Sequence, residues 1–433
     1  MCTTAQIGPF GPSIRAAGRV TVPGDKSISH RYALLAALAH GTSTIRGYSD
    51  GFDCRSTLAC LRALGVGIEW EPGLVSITGR GPSGLTASTG PLDAGNSGTT
   101  MRLLSGIVAA RPFRTVITGD DSLRRRPMRR IIAPLTAMGA RIGSHDGRPP
   151  LVIDGGRLRG ISYTPEVPSA QVKSCVLLAG LLTDGETTVH EPVPTRDHTE
   201  RAFQTFGARV VRTPSSVTIA GGQSLEARDL HVPGDISGAA FWCALAAGTP
   251  GGDITVEAVG LNPTRTGLLD VLRRAGARVT TRLDDETSAE PMGSLRVEFG
   301  DPRSFEVSPA EVPGIIDEIP ALAALGAMMP AGHTFTVRGA RELRVKESDR
   351  ISALAAGFRA LGSEIEEYED GFTLTARPLR AGVVDAAHDH RLAMAFAVAA
   401  TRASGPVSLI GVDAAAVSYP AFFETLGTLT GQE

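Results

Sequence analysis

A short pattern returns six times along the 433 residues and limits the possible folds more than any other feature. An amphipathic segment closes on an apolar residue, two spacers, an apolar residue and glycine, and an extended segment usually follows. The copies are Leu61-Arg62-Ala63-Leu64-Gly65, Leu135-Thr136-Ala137-Met138-Gly139, Phe203-Gln204-Thr205-Phe206-Gly207, Leu272-Arg273-Arg274-Ala275-Gly276, Phe358-Arg359-Ala360-Leu361-Gly362 and Phe423-Glu424-Thr425-Leu426-Gly427. Their glycines stand 74, 68, 69, 86 and 65 residues apart. Apolar residues three apart share one helix face, and a terminal glycine takes the left-handed cap. Strand patterns follow five copies, as in Val66-Gly67-Ile68-Glu69-Trp70. One helix–glycine–strand passage is common in α/β proteins; six at near-constant period predict a repeated supersecondary unit.

Each unit also carries a second, nearly all-apolar helix with polar residues at its start. The spacing predicts these at 28–39, 99–110 and 172–182, and again at 239–247, 321–329 and 392–400. A helix apolar all round belongs in a core. Polar starts are ordinary capping, but six of them also suggest N-termini gathered where dipoles and free N–H groups favour an anion. The passage Thr21-Val22-Pro23-Gly24-Asp25 recurs 210 residues later as His231-Val232-Pro233-Gly234-Asp235. We read these as interlobe crossovers at 21–25 and 231–235. One lobe then holds three units over 25–233, and the other combines 1–22 with 236–433.

Composition narrows the chemistry. Against 40 arginines there are three lysines, Lys26, Lys173 and Lys346, each inside a compact polar motif. Lysine gives up a proton and arginine does not, so such sparing use points to positions where arginine will not serve. The net charge of −2 offers no field for nucleic acid or an anionic membrane, and no apolar run reaches the length of a membrane span. The N-terminus has no signal or transit pattern, which together with the cysteines suggests a cytoplasmic protein. Those five cysteines show neither CxxC nor Cys/His spacing, so no metal and no disulfide framework is expected. There is no GxxxxGK[ST] loop, no strand–GxGxxG–helix and no nucleophile elbow. What remains is a set of anion grips, carboxylates and lysines suited to general acid–base work on a small polyanion.

The motifs that carry this chemistry are Pro23-Gly24-Asp25-Lys26-Ser27-Ile28-Ser29-His30-Arg31, Gly95-Asn96-Ser97-Gly98-Thr99-Thr100-Met101-Arg102 and Asp121-Ser122-Leu123-Arg124-Arg125-Arg126-Pro127-Met128. With them stand Arg344-Val345-Lys346-Glu347-Ser348-Asp349-Arg350 and Asp389-His390-Arg391. In this order and spacing, from about Ser13 to Leu429, the chain resembles the 5-enolpyruvylshikimate-3-phosphate (EPSP) synthase family. The resemblance implies a two-domain inverted α/β fold, barrel-like, with six βαβαββ repeats in two pseudo-threefold lobes. It also implies transfer of the enolpyruvyl group of phosphoenolpyruvate to the 5-hydroxyl of shikimate 3-phosphate through a tetrahedral ketal. No cofactor or metal takes part, and the two small substrates are the expected partners of a monomer.

By the same resemblance, Lys26, Gly98, Arg126, Arg350 and Arg391 would hold phosphoenolpyruvate. Ser27, Arg31, Ser169, Ala170, Gln171, Asp317 and Lys346 would hold shikimate 3-phosphate, with Arg196 adding a grip on its phosphate. Asn96 and His390 complete the implied binding set. Asp317 is the implied base for the 5-hydroxyl, and Glu347, with Lys26, the implied donor to the methylene carbon, for which its pKa would have to rise. Lobe closure about the crossovers is expected to assemble the site. Gly98 leaves room beside the phosphoenolpyruvate site, so inhibition by glyphosate is expected. Lys173 has no firm family role, and structural and functional readings stand level. Val417 stands where many members carry lysine, so either another arginine substitutes or affinity for phosphoenolpyruvate is lower.

The alternative acceptor is a UDP-N-acetylglucosamine. That sister family usually places a reactive Cys five residues before its Arg-Pro, where this chain has Asp121, and follows the first Lys with Asn rather than Ser27. An RNA-end-processing or RNA-binding protein built from similar units could use the arginine runs, but would need a basic, aromatic-rich surface that the composition does not offer. A catalytically dead, ligand-binding relative is also consistent with the spacing.

Overall fold

The computed structural model describes residues 3–10, 14–285 and 289–431; Cys2 and Ser13 lie outside them. The chain divides into two compact units, Gly24–Val232 and a discontinuous one made of Met1–Pro23 with Pro233–Glu433.

The repeat is visible as a βαβαββ order. In Gly24–Val232, strand Leu92–Asp93 leads through helix Gly98–Ala109 to a parallel partner, Arg114–Thr118. Helix Arg129–Ala137 and the hairpin Arg141–His145/Arg148–Asp154 follow, antiparallel to the second strand. Five four-stranded sheets share this strand order. Two of them take their first strand from a crossover. Asp229–His231 pairs parallel with His40–Arg46, and Ala17–Thr21 with Asp253–Gly260. Each crossover strand therefore belongs to the sheet of the unit the chain is leaving. Backbone approach dictates the glycines beside them: a Cβ on Gly24 would lie 1.7 Å from the Gly47 carbonyl oxygen.

The sixth copy departs from the pattern. Its sheet has three strands, Gly382–Asp385 parallel to Val407–Ile410, with Thr4–Ile7 antiparallel on the other edge in place of a hairpin. Gly427 accordingly does not cap its helix. Phe422–Thr430 runs through it, continuing the buried face of Phe422, Leu426 and Leu429, and ends at Gly431 in the left-handed region (φ 70). The other five glycines, at 65, 139, 207, 276 and 362, have φ between 87 and 112 and close their helices as expected.

The six apolar helices are α1 (Lys26–Leu38), α2 (Gly98–Ala109), α3 (Ala170–Leu181), α4 (Ile236–Gly248), α5 (Ile319–Met328) and α6 (His390–Ala400). Each is buried along nearly its whole length, and α1–α3 and α4–α6 form the centres of the two hydrophobic cores. Packing there is close enough to constrain composition: a Cβ on Gly106 in α2 would fall 2.3 Å from the Cys175 carbonyl oxygen in α3. Asp25, Ser97 and Ser169 cap α1–α3 by accepting the backbone N–H of Ile28 (3.0 Å), Thr100 (3.1 Å) and Val172 (3.4 Å). No helix among the described residues is long and apolar enough to cross a membrane.

Candidate active site

Polar residues at the starts of all-apolar helices have nowhere to point except the shared N-terminal end of the core. In Gly24–Val232 they knit α1, α2 and α3 together. Lys26, the first residue of α1, donates to Asp53 Oδ2 at 2.9 Å, and both side chains are largely buried. His30 Nδ1 meets Thr57 Oγ1 at 2.7 Å; Thr57 meets Thr100 at 2.7 Å, and Thr100 donates to Ser97 at 2.8 Å. Burial, then Lys26 and Arg31, hold the pKa of His30 well below its ordinary value, so the imidazole is neutral.

Arg31, Arg126 and Arg102 each donate to neutral groups. Arg31 donates from Nε to Thr199 Oγ1 (2.7 Å), from Nη1 to the Ser27 carbonyl (2.8 Å) and from Nη2 to Ser174 Oγ (2.7 Å). Arg126 follows the short helix Asp121–Arg125 and donates to Asn96 Oδ1 at 2.6 Å, while Asn96 Nδ2 donates to Asp120 at 2.7 Å. Arg102 donates to Gln171 Oε1 at 2.5 Å, and Gln171 Nε2 donates to Thr99 Oγ1 at 2.9 Å. Gly98 sits among these groups as the first residue of α2: a Cβ there would lie 2.8 Å from Arg102 Nη1 and 3.3 Å from Arg126 Nη1. Ser169 and Ala170 begin α3 beside Gln171. Arg196 is half-buried in the loop before helix His198–Thr205.

The other unit assembles charges of both signs. Asp389 caps α6 by accepting the Arg391 N–H at 2.9 Å and is fully buried. It receives Arg350 Nε at 2.7 Å and Nη2 at 3.2 Å, with Ser348 Oγ at 3.1 Å. Arg350 Nη2 also donates to Glu347 at 2.5 Å. Burial opposes the charge on Arg350, but Asp389 and Glu347 more than offset it and raise its pKa. Arg350 Nη1 is buried and makes no hydrogen bond among the described residues; Asp317 Oδ1 lies 3.7 Å away.

Asp317 occupies the turn between helix Val312–Ile315 and α5. Lys346 Nζ stands 3.5 Å from its Oδ1 and Arg391 Nε 4.0 Å, while Arg391 Nη1 donates to its carbonyl at 2.7 Å. Burial lowers the pKa of Lys346, with Asp317 pulling the other way. His390 is buried as the first residue of α6. Beside this cluster, Glu318 accepts from Ser237 of α4 and from Arg265 at 2.9 Å, all three buried. Hydrogen bonds thus tie the starts of α4, α5 and α6 together as they do those of α1, α2 and α3.

Three comparisons bear on this arrangement. A family model described as EPSP synthase (3-phosphoshikimate 1-carboxyvinyltransferase) matches residues 12–426. The chain belongs to the EPSP synthase family. A 3-phosphoshikimate 1-carboxyvinyltransferase of Shouchella clausii is 46% identical over 95% of this chain and 96% of its own. One from Acidithiobacillus ferrooxidans is 49% identical over 95% of each. A solved EPSP synthase of Acinetobacter baumannii superposes with a TM-score of 0.87 at 41% identity, covering 100% of this chain and 99% of its own. The EPSP synthase fold is therefore that of this chain.

The residues singled out in the sequence fall into two groups. Lys26, Ser27, Arg31, Asn96, Gly98, Arg126, Ser169, Ala170, Gln171 and Arg196 lie in one unit, and Asp317, Lys346, Glu347, Arg350, His390 and Arg391 in the other. Sequence reasoning missed Asp53, whose only link to Lys26 is spatial, and the Arg265–Glu318 pair. It passed over Arg102, although its motif was in view. Val417 ends a 3₁₀ turn, Val412–Val417, and is half-buried. Cys54, Cys60, Cys175 and Cys243 are buried; burial pushes the last three thiols up to about 12, and Cys54 further in the same direction. They are core residues without a reactive thiolate.

Proposed function

We propose that the chain transfers the 1-carboxyvinyl (enolpyruvyl) group of phosphoenolpyruvate to the 5-hydroxyl of shikimate 3-phosphate, releasing phosphate, and that the two clusters divide the work. The observation that carries this reading is the Asp317–Lys346–Glu347–Arg350–Asp389–Arg391 group. Three carboxylates and three cations are packed within ion-pair reach of one another at the starts of two buried helices. Such a group both grips an anion and moves protons. The reading extends to a monomer acting in the cytoplasm on two small anions, in the pathway to aromatic amino acids.

Asp317 takes the proton of the 5-hydroxyl, whose oxygen then bonds to C2 of phosphoenolpyruvate. The methylene carbon takes a proton from Glu347, assisted by Lys26, which gives the tetrahedral ketal. Elimination breaks the C2–O bond to phosphate, which leaves with the proton held by Asp317, and returns a methyl proton to Glu347, restoring the double bond. Phosphoenolpyruvate is held by Lys26, Arg126, Arg350 and Arg391 beside Gly98, and shikimate 3-phosphate by Ser27, Arg31, Ser169, Ala170, Gln171, Arg196 and Lys346. Asn96 orients Arg126, and His390 backs the start of α6. In the free enzyme Arg350 donates to Glu347, and an incoming anion on Arg350 competes for that donor. Glyphosate, a compact anion, competes for the same cations.

The test is inorganic phosphate release from phosphoenolpyruvate with shikimate 3-phosphate, beside UDP-N-acetylglucosamine and no-acceptor controls. Release with shikimate 3-phosphate alone is expected. Release with the sugar nucleotide alone would transfer the reaction to the sister acceptor, and none with either would make the chain a binding protein.

A further inference from the structure

Lys173 is the most deeply buried of the three lysines, with a side chain 1% exposed against 13% for Lys26 and 26% for Lys346. It lies in the first turn of α3, two residues after Gln171. Its ammonium donates to Glu200 Oε1 at 2.7 Å and to Glu191 Oε2 at 2.8 Å. A buried ammonium between two carboxylates is costly to assemble unless the geometry is tight, so its value lies in what it fixes. Glu200 opens helix His198–Thr205, and Glu191 starts the loop that leads into it. The other oxygen of Glu191 accepts the hydroxyl of Thr195, the residue before Arg196. On the far side of Arg196, Asp197 receives Arg201 Nε at 3.0 Å and Arg212 Nη1 at 3.0 Å. The loop is thus pinned on both sides of Arg196, and Lys173 joins its start to the helix at its end.

We propose that Lys173 is a positioning residue for shikimate 3-phosphate, holding the 191–197 loop so that Arg196 meets the 3-phosphate. This rests on the reading of Arg196 as a phosphate grip. The compact ammonium of a lysine reaches both carboxylates at once from a side chain that is 1% exposed. Arg31 is anchored by Ser174 and Thr199, the neighbours of Lys173 and Glu200, so pairing Lys173→Met with Arg196→Ala separates an effect through Arg196 from one through Arg31.

The experiment compares Lys173→Met, Glu191→Gln, Arg196→Ala and the double variant Lys173→Met/Arg196→Ala by steady-state kinetics. Lys173→Met is expected to raise KM for shikimate 3-phosphate roughly tenfold, leaving kcat and KM for phosphoenolpyruvate within about twofold, as expected for a misplaced binding group. In the double variant KM is expected to match that of Arg196→Ala alone, because a loop without its arginine gains nothing from being held. Multiplicative effects, or equal losses in kcat and in both KM values, would overturn the proposal and leave Lys173 a structural residue. Should Lys173→Met fail to fold, Glu191→Gln paired with Arg196→Ala reads the same coupling. An unchanged KM in Arg196→Ala would instead remove the phosphate-grip reading; a raised KM there with none in Lys173→Met would remove this proposal alone.

Discussion

The two helix-start clusters are built from the same supersecondary unit but are held together by different bonds. In Gly24–Val232 Arg31, Arg126 and Arg102 donate to Thr, Ser, Asn and Gln, and Lys26 pairs with Asp53. In the other unit Arg350 is bound by Asp389 and Glu347, and Lys346 and Arg391 face Asp317. Cations interleaved with carboxylates make a site where a proton moves at little cost in net charge. The repeat supplies one scaffold, helix starts converging on a buried end, and on the proposed reading one end binds while the other reacts.

The largest effect that would break this contrast is expected at Asp317. Asp317→Asn keeps the shape and removes the base, and kcat for phosphate release should fall by about 10²–10⁴-fold. A loss confined to KM would make Asp317 a grip like those of the other unit. Arg265→Leu tests whether the second unit depends on matched charge below its surface. It leaves the fully buried Glu318 uncompensated, and chemical denaturation should show a loss of about 3–5 kcal/mol. In the first unit the same logic gives a binding effect. Gly98→Ala puts a Cβ 2.8 Å from Arg102 Nη1, so that guanidinium must shift. KM for phosphoenolpyruvate and the inhibition constant for glyphosate should both rise, by roughly tenfold, with kcat changed less. An unchanged KM would separate Gly98 from the anion grip.

The smallest expected effect concerns the neutral support itself. His30 has a folded pKa well below 6.5, so below that pH the unfolded chain binds a proton that the folded chain refuses. Its contribution is fully present above pH 6.5 and is lost as pH falls toward the folded value, by up to about 1.4 kcal/mol per pH unit. His30→Gln should flatten that part of the stability–pH curve. An unchanged slope would assign the acid sensitivity elsewhere.

Much of this was legible in the chain. The helix starts were read one to three residues late, at Ile28, Thr99, Val172, Ala239, Ala321 and Leu392, because the polar residues taken for caps also form the first turn. That shift matters, since Lys26, Gln171 and Arg391 sit on the helices themselves. The sixth repeat copied the pattern without its consequence: Gly427 fits the motif, but no hairpin follows and the helix continues. Asp53 and Glu191 were out of reach, because each meets its lysine across a distance in sequence that no local period encodes. The two readings of Lys173 stood level for the same reason.

The most direct measurement follows deuterium. With phosphoenolpyruvate and shikimate 3-phosphate in D₂O, addition places a solvent-derived deuteron on the methylene carbon and elimination leaves part of it in the product vinyl group, which proton NMR reads. Proton transfer assigned to the second cluster predicts rapid incorporation by the native enzyme. It also predicts parallel loss of deuterium uptake and phosphate release in Glu347→Gln, with shikimate 3-phosphate binding retained by calorimetry. Uptake at the native rate in Glu347→Gln would contradict it and move the proton donor out of that cluster.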